Sequence, residues 1–171
     1  GGHAAMFGTS IDWLEAAGLV IKCDRLSTAL LPLAAYKDLT GFKLYMNDAG
    51  LLTRKAEMPL RDIFFNDNIQ HPFIGAIAEN YVSSQLSAAG FNLYYWESGN
   101  TAEIDFIIQI DDKVVPIEVK SGINTRSKSL DVYRKKFAPA LCIRLSEKNF
   151  GFENGIKSVP LYAVFCICNE Y

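Results

Sequence analysis

The chain reads as an α/β protein whose core runs helix, three strands, helix, strand. Three observations predict this order. A helical stretch, His71 to Ala89, carries an apolar stripe and is closed by Gly90. Two alternating runs follow within residues 103–120, joined by the acidic pair Asp111-Asp112. A basic stretch with a Thr/Ser-rich start, Thr125–Phe137, then leads into the apolar run Ala140–Leu145. Apolar residues three and four apart mark an amphipathic helix, and strict alternation marks a half-buried strand.

The elements follow in order. Ser10–Ala17 is a short helix stopped by Gly18, and Leu19–Cys23 is a strand. Ala29–Leu33 is a short apolar piece, and Phe42–Met46 is a strand ending at Asn47-Asp48-Ala49-Gly50. Residues 53–70 form a linker with one turn of helix near Leu60–Phe65. The helix 71–89 places Ile74, Ile77, Ala78, Tyr81 and Gln85 near one face. Then come strand Asn92–Trp96, the hairpin 103–120, helix 125–137 capped by its Thr/Ser start, strand Ala140–Leu145 and strand Val159–Cys166. The first three core strands form an antiparallel meander. The second core helix carries the chain to a strand parallel to the third, by a right-handed crossover. Residues 1–52 are expected as a partial winged-helix-like segment with a β-wing, 53–70 as a linker, and 71–171 as the core domain with a mixed sheet.

The hairpin carries the chemistry. Ile104, Phe106, Ile108 and Ile110 alternate on its first strand, and Val115, Ile117 and Val119 on its second. A two-residue loop, the commonest hairpin length, sets Ile110 opposite Lys113. Counting back sets Asp105 opposite Glu118 and Glu103 opposite Lys120. One face is then apolar, with Ile104, Phe106, Ile108, Val115, Ile117 and Val119. The other gathers Glu103, Asp105, Glu118 and Lys120 at one end. Like charges directly opposite are destabilising. A divalent cation resolves such a conflict, and so does a raised carboxyl pKa. A solvated strand face, with the carboxylates relaxed into water, is the alternative. Upstream, Glu79 lies on the row Glu79–Val82–Leu86 at the border of the helix stripe, from which a carboxylate can lean over a sheet edge. A surface glutamate is the ordinary alternative.

The runs Ala78-Glu79-Asn80, Ala102-Glu103-Ile104-Asp105-Phe106 and Pro116-Ile117-Glu118-Val119-Lys120-Ser121-Gly122 resemble the PD-(D/E)XK nuclease superfamily. More narrowly, they are similar to the uncharacterised C-terminal domain carried by many bacterial and archaeal AAA-type P-loop ATPases. Trp13-Leu14-Glu15-Ala16-Ala17-Gly18-Leu19-Val20 and the run from Phe42 to Leu51 resemble the junction preceding that domain. Ile104 departs from the proline that the pattern places before the aspartate. The resemblance implies a restriction-endonuclease-like core and Mg²⁺ or Mn²⁺ as cofactor. It implies Asp105 and Glu118 as metal ligands, with the Val119 carbonyl as a further ligand. Lys120 would orient the attacking water and stabilise charge on the phosphate, and Glu79 would be an accessory carboxylate. A P-loop ATPase domain is the implied partner.

Composition bounds the rest. The chain has 171 residues, 50% hydrophobic and 21% charged, which suits a globular protein. No apolar run approaches the roughly 20 residues of a membrane helix. The start Gly1-Gly2-His3-Ala4-Ala5 reads as a cloning remnant rather than a signal peptide. Cys23, Cys142, Cys166 and Cys168 lack the spacing of a zinc site and suit buried thiols in a reducing cytosol. His3 and His71 are assigned no role. No G-x-x-x-x-G-K-[ST] motif occurs, so the chain is not itself the ATPase part and is expected to be either an excised C-terminal portion of an ATPase or a stand-alone relative. Net charge is −2, which favours no polyanion overall. Locally, Lys120, Arg126, Lys128, Arg134, Lys135 and Lys136 stand against Asp131 alone. A basic helix beside an acidic metal site suits a nucleic-acid backbone, and a cationic solvated face is the alternative. Two functions follow as expectations: a metal-dependent nuclease of DNA or RNA, or a non-catalytic nucleic-acid- or protein-binding module of an ATPase.

Overall fold

The computed structural model describes residues 7–57, 72–99, 101–122 and 127–169. The elements are α1 (Gly8–Ala16), β1 (Val20–Leu26), β2 (Lys37–Met46), α2 (Ala49–Lys55), α3 (Pro72–Ala88), β3 (Tyr94–Ser98), β4 (Ala102–Ile110), β5 (Lys113–Val119), α4 (Lys128–Phe137), β6 (Cys142–Ser146), β7 (Gly151–Glu153), β8 (Ile156–Pro160) and α5 (Phe165–Asn169). The expected helical turn at Leu60–Phe65, the start of the second core helix at Thr125 and Arg126, His3, His71 and the Cys168 side chain lie outside the described residues.

From residue 72 to residue 146 the order is α-β-β-β-α-β, as the periodicities predict. β3, β4 and β5 pair antiparallel, and β5 pairs parallel with β6. The strands lie in one sheet in the order β2-β1-β3-β4-β5-β6-β8-β7. β1 and β2, from the stretch expected as a winged-helix-like segment, join the same sheet, because β1 runs parallel to β3 from Asp24 and Tyr94 to Leu26 and Trp96.

Two apolar clusters lie on the sheet's two faces. Ala78, Val82 and Leu86 of α3 pack with Phe106, Ile108, Ile117, Val119, Ile143 and Ile167. Leu130 and Tyr133 of α4 pack with Trp96, Ile104, Ile107 and Cys142. α3 and α5 thus cover one face and α4 the other. Trp96 is an edge-on partner for both Tyr133 and Phe137, with ring centroids 5.4 Å apart in each case. Such pairs add about 0.5–1.5 kcal/mol beyond the area they bury.

Local signals explain the element ends. Ser127 caps α4, its side chain accepting from the Leu130 amide at 3.0 Å. Gly90 closes α3 at φ +88, the left-handed conformation favoured at a helix end. Several expectations are corrected. α3 buries the row Ala78–Val82–Leu86, with Ile74, Ile77, Tyr81 and Gln85 only partly covered. α2 was not expected; Asp48 starts it, its carboxylate accepting from the Leu51 amide. The strand expected at Val159–Cys166 is instead β8 followed by a 3-10 turn and α5, with Cys166 helical. β8 begins after Asn154-Gly155, both at positive φ, which turn β7 into β8. Asn-Gly is a strong two-residue hairpin signal, and the apolar run beyond it masked that turn.

α3 is tied to β2 by one side chain. Asn80, 1% exposed, accepts from the Met46 amide at 2.8 Å and donates to the Met46 carbonyl at 2.9 Å. Asn80→Ala removes the partner of both backbone groups in a half-buried place. It is expected to lower stability by roughly 2–3 kcal/mol, read as a fall in the urea midpoint at unchanged slope.

Candidate functional site

The alternation of β4 is broken. Trp96 pairs with Ile104 and Tyr94 with Ile107, so two steps on β3 match three on β4. The extra residue is a β-bulge at Asp105-Phe106. It explains why Ile104 lies in the α4-side cluster while Phe106 and Ile108 lie in the α3-side cluster. The expectation that Ile104 shares a face with Phe106 is corrected by this bulge. The hairpin register is as counted, with Ile110 opposite Lys113 and Phe106 opposite Ile117. Beyond Phe106 and Ile117 the strands are joined through a side chain: the Val119 amide donates to Asp105 Oδ2 at 2.7 Å.

Asp105 is half-buried and surrounded by charge. Burial, then Glu79, raise its carboxyl pKa to about 7; Glu118 adds to the rise, while the Val119 amide and Lys43 oppose it. The three carboxylates meet around the end of β4 and β5 rather than lining one face. Ile117 and Val119 pack on the α3 side, so alternation sends Glu118 and Lys120 to the α4 side. Asp105, re-aimed by the bulge, acts on Tyr45 and Cys23 of the α3-side cluster.

Glu118 is 2% exposed. Its Oε1 pairs with Lys120 Nζ at 2.5 Å, while Oε2 is buried without a hydrogen-bond partner. A buried unpaired carboxylate oxygen costs free energy unless an ordered water, an ion or a ligand group meets it. Glu103 was expected opposite Lys120. It pairs instead with Lys43 of β2, since the bulge removes the simple counting on which the Glu103–Lys120 pair rested.

Lys43 and Tyr45 were missed. Lys43 Nζ stands 3.6 Å from Glu79 Oε2, and the Tyr45 hydroxyl donates to the same oxygen at 3.1 Å. Burial opposes the Lys43 charge, but Glu79, Glu103 and Asp105 together hold its pKa up at about 12. Burial, reinforced by Glu79, pushes the Tyr45 hydroxyl far above its ordinary value, so it remains a donor. The signal was in the chain: Lys43 and Tyr45 are two apart on one strand and share a face, and a strand lysine facing a core needs an acidic partner.

The basic helix sits apart from Glu79. α4 packs on the face opposite α3, and it approaches β4 through the Glu103 amide, which donates to Ser129 Oγ at 3.3 Å. Lys128, Lys135 and Lys136 are exposed, and Lys136 lies 5.0 Å over the Trp96 ring. Arg134 donates to the Asn154 carbonyl at 2.6 Å.

The family described as Domain of unknown function (DUF4143) matches residues 74–164, just over half of the chain. The chain belongs to this family. No curated protein and no solved structure matches it. The matched DUF4143 stretch contains Glu79, Asp105, Glu118, Lys120 and the whole of α4, whereas Lys43 and Tyr45 come from outside it. Among the described residues no helix is long and apolar enough to cross a membrane.

Among the described residues no three His, Cys, Asp or Glu side chains form a ready metal-binding group. Glu79 is engaged by Lys43 and Tyr45. What remains is Asp105, whose Oδ2 accepts from the Val119 amide, and Glu118, which has one unpaired oxygen and acts electrostatically on Asp105 across the end of β4 and β5. An all-oxygen set of one or two carboxylates, completed by water and phosphate, fits a hard cation such as Mg²⁺.

The Asp105 shift has a sign. The folded state holds this proton more tightly than the unfolded chain, whose carboxyl titrates near the ordinary 3.8. The resulting stabilisation is complete below that value and is lost as pH rises to about 7. In EDTA-containing buffer, stability is expected to fall by at most a few kcal/mol across that window, and Asp105→Asn to remove that part of the slope. Urea melts from pH 4 to pH 8 check it.

Proposed function

We propose that this domain is a metal-dependent nuclease that hydrolyses phosphodiester bonds of DNA or RNA and works beside an AAA-type P-loop ATPase domain. The observation that carries the reading is Glu118, buried at the end of β5 with Oε1 paired to Lys120 and Oε2 without a partner, near enough to Asp105 to raise that carboxyl's pKa. Asp105 and Glu118 would hold Mg²⁺ or Mn²⁺, with the Val119 carbonyl as a third ligand and Glu79 acting through water. Such an ion supplies a water nucleophile near neutral pH and neutralises phosphate oxygens. Lys120 is partly exposed and anchored by Glu118, so its ammonium is placed to orient water and to stabilise charge that develops on the phosphate. Lys43 and Tyr45 keep Glu79 and Glu103 in place and partly neutralised.

The pairing of Glu79 and Glu103 with Lys43 also favours a second reading, a non-catalytic binding module. There, part of the acidic cluster is balanced by the protein itself, without a cation.

Cleavage of plasmid and of labelled DNA and RNA oligonucleotides in Mg²⁺ and in Mn²⁺ separates the two. Lys120→Ala is expected to slow cleavage about 10²–10³-fold while leaving nucleic-acid binding nearly unchanged, because its interaction strengthens in the transition state. Millimolar Mg²⁺ is expected to raise the melting temperature of the wild type, and not that of Asp105→Asn/Glu118→Gln. Binding without cleavage in either metal, with Lys120→Ala indistinguishable from wild type, selects the binding module.

A further inference from the structure

A second buried polar group lies beside Glu118. Arg144 of β6 is its register partner on the neighbouring parallel strand, and Arg144 Nε is buried without a hydrogen-bond partner. Register partners on neighbouring strands stand on one face of the sheet, about 5 Å apart. The same row continues from Arg144 to Ser158 of β8 and Gly151 of β7. Gly151 adds no side chain, so the row stays open toward the sheet's edge. α4 lies over this face, leaving a groove of about 440 Å³ lined by Lys128, Arg134, Arg144 and Ser158, with Asp131 and Glu153. Arg134 and Arg144 both line this groove. Arg134 is anchored to the Asn154 carbonyl and fixes the β7–β8 turn as the groove's wall.

We propose that this groove binds a phosphate of the nucleic-acid backbone, with Arg144 as its principal donor, one strand away from Glu118. The inference rests on the nucleic-acid reading above and names where the chain leaves the carboxylates. A guanidinium offers five donors in a planar fork that matches a phosphate, and Arg144 lines the groove; its Nε is buried, so its terminal nitrogens are the ones a phosphate would meet. Asp131 and Glu153 weaken the groove's attraction for any anion, so binding would rest on direct contact between the phosphate and Arg144. Arg144 is a positioning residue here: it holds the strand adjacent to the reacting bond and does not touch that bond.

The test is oligonucleotide binding by fluorescence anisotropy in EDTA, with single-stranded DNA and RNA, across a range of salt. Arg144→Gln is expected to raise Kd about tenfold or more and to lower the salt slope by about one unit. Arg144→Lys is expected to restore the slope but only part of the affinity, because it keeps the charge and loses the fork. Circular dichroism melts establish that the variants are folded. A measurement on the wild type needs no variant: the Arg144 Nε–H resonance is expected to shift when oligonucleotide is added. Wild-type binding with an unmoved Arg144 resonance, or an Arg144→Gln variant that binds with the same Kd and slope, overturns the groove and leaves the nuclease reading standing. Binding that depends on Arg144 without cleavage in any metal supports the groove and removes the nuclease reading. A response to inorganic phosphate with none to oligonucleotide overturns the proposal, and so does a wild type that binds no nucleic acid.

Discussion

The hydrogen bond from the Val119 amide to Asp105 Oδ2 joins β4 to β5 at the point where their main-chain ladder has ended. A carboxylate does there what a carbonyl does elsewhere in a sheet. This is possible only because the bulge at Asp105-Phe106 turns a side chain toward its partner strand. The same bulge sends Ile104 into the α4-side core and Phe106 into the α3-side core, so both apolar clusters depend on it. It also places Asp105 beside the charges of both Glu79 and Glu118. The result is a carboxyl that is held by one strong donor and crowded by two acids.

That crowding is balanced in two different ways at the two sides of the sheet. On the α3 side the protein supplies its own counter-charge: Lys43 reaches Glu79 and Glu103, and Tyr45 donates to Glu79. On the α4 side the balance is incomplete, because Lys120 meets only one oxygen of Glu118 and Arg144 stands nearby with its own unpaired nitrogen. Buried polar atoms without partners are costly, and the two residues that carry them, opposite in charge, occupy neighbouring positions on one face across β5 and β6. In the function proposed above, a cation would complete the carboxylates and a phosphate the guanidinium.

The β1–β2 hairpin acquires its meaning from this arrangement. It lies outside the stretch that the family matches, yet it adds two strands to the sheet and delivers Lys43 and Tyr45 to Glu79. Asn80, the neighbour of Glu79, clamps the end of β2 at Met46 and so sets how far along α3 that hairpin reaches. Packing and chemistry are coupled through two adjacent helix residues, one buried and structural, the other partly exposed and charged.

What the sequence determined by itself was local in origin. The periods of the apolar residues placed the helix-strand-strand-strand-helix-strand order, and the two-residue acidic loop set the hairpin register from Ile110 and Lys113 to Phe106 and Ile117. The Glu-x-Lys alternation put Glu118 and Lys120 together. Tertiary structure decided what counting along one strand cannot see. A bulge inserts one residue and reverses the faces on either side of it, so Glu103 parted from Lys120 and Ile104 from Phe106. Lys43 reaches Glu79, and Arg144 stands in register with Glu118, from strands outside the hairpin, and only the assembled sheet makes them neighbours. The strand misread beyond Val159 has the same cause, since an apolar run that short looks alike as a strand or a buried helix until its packing partners are in place.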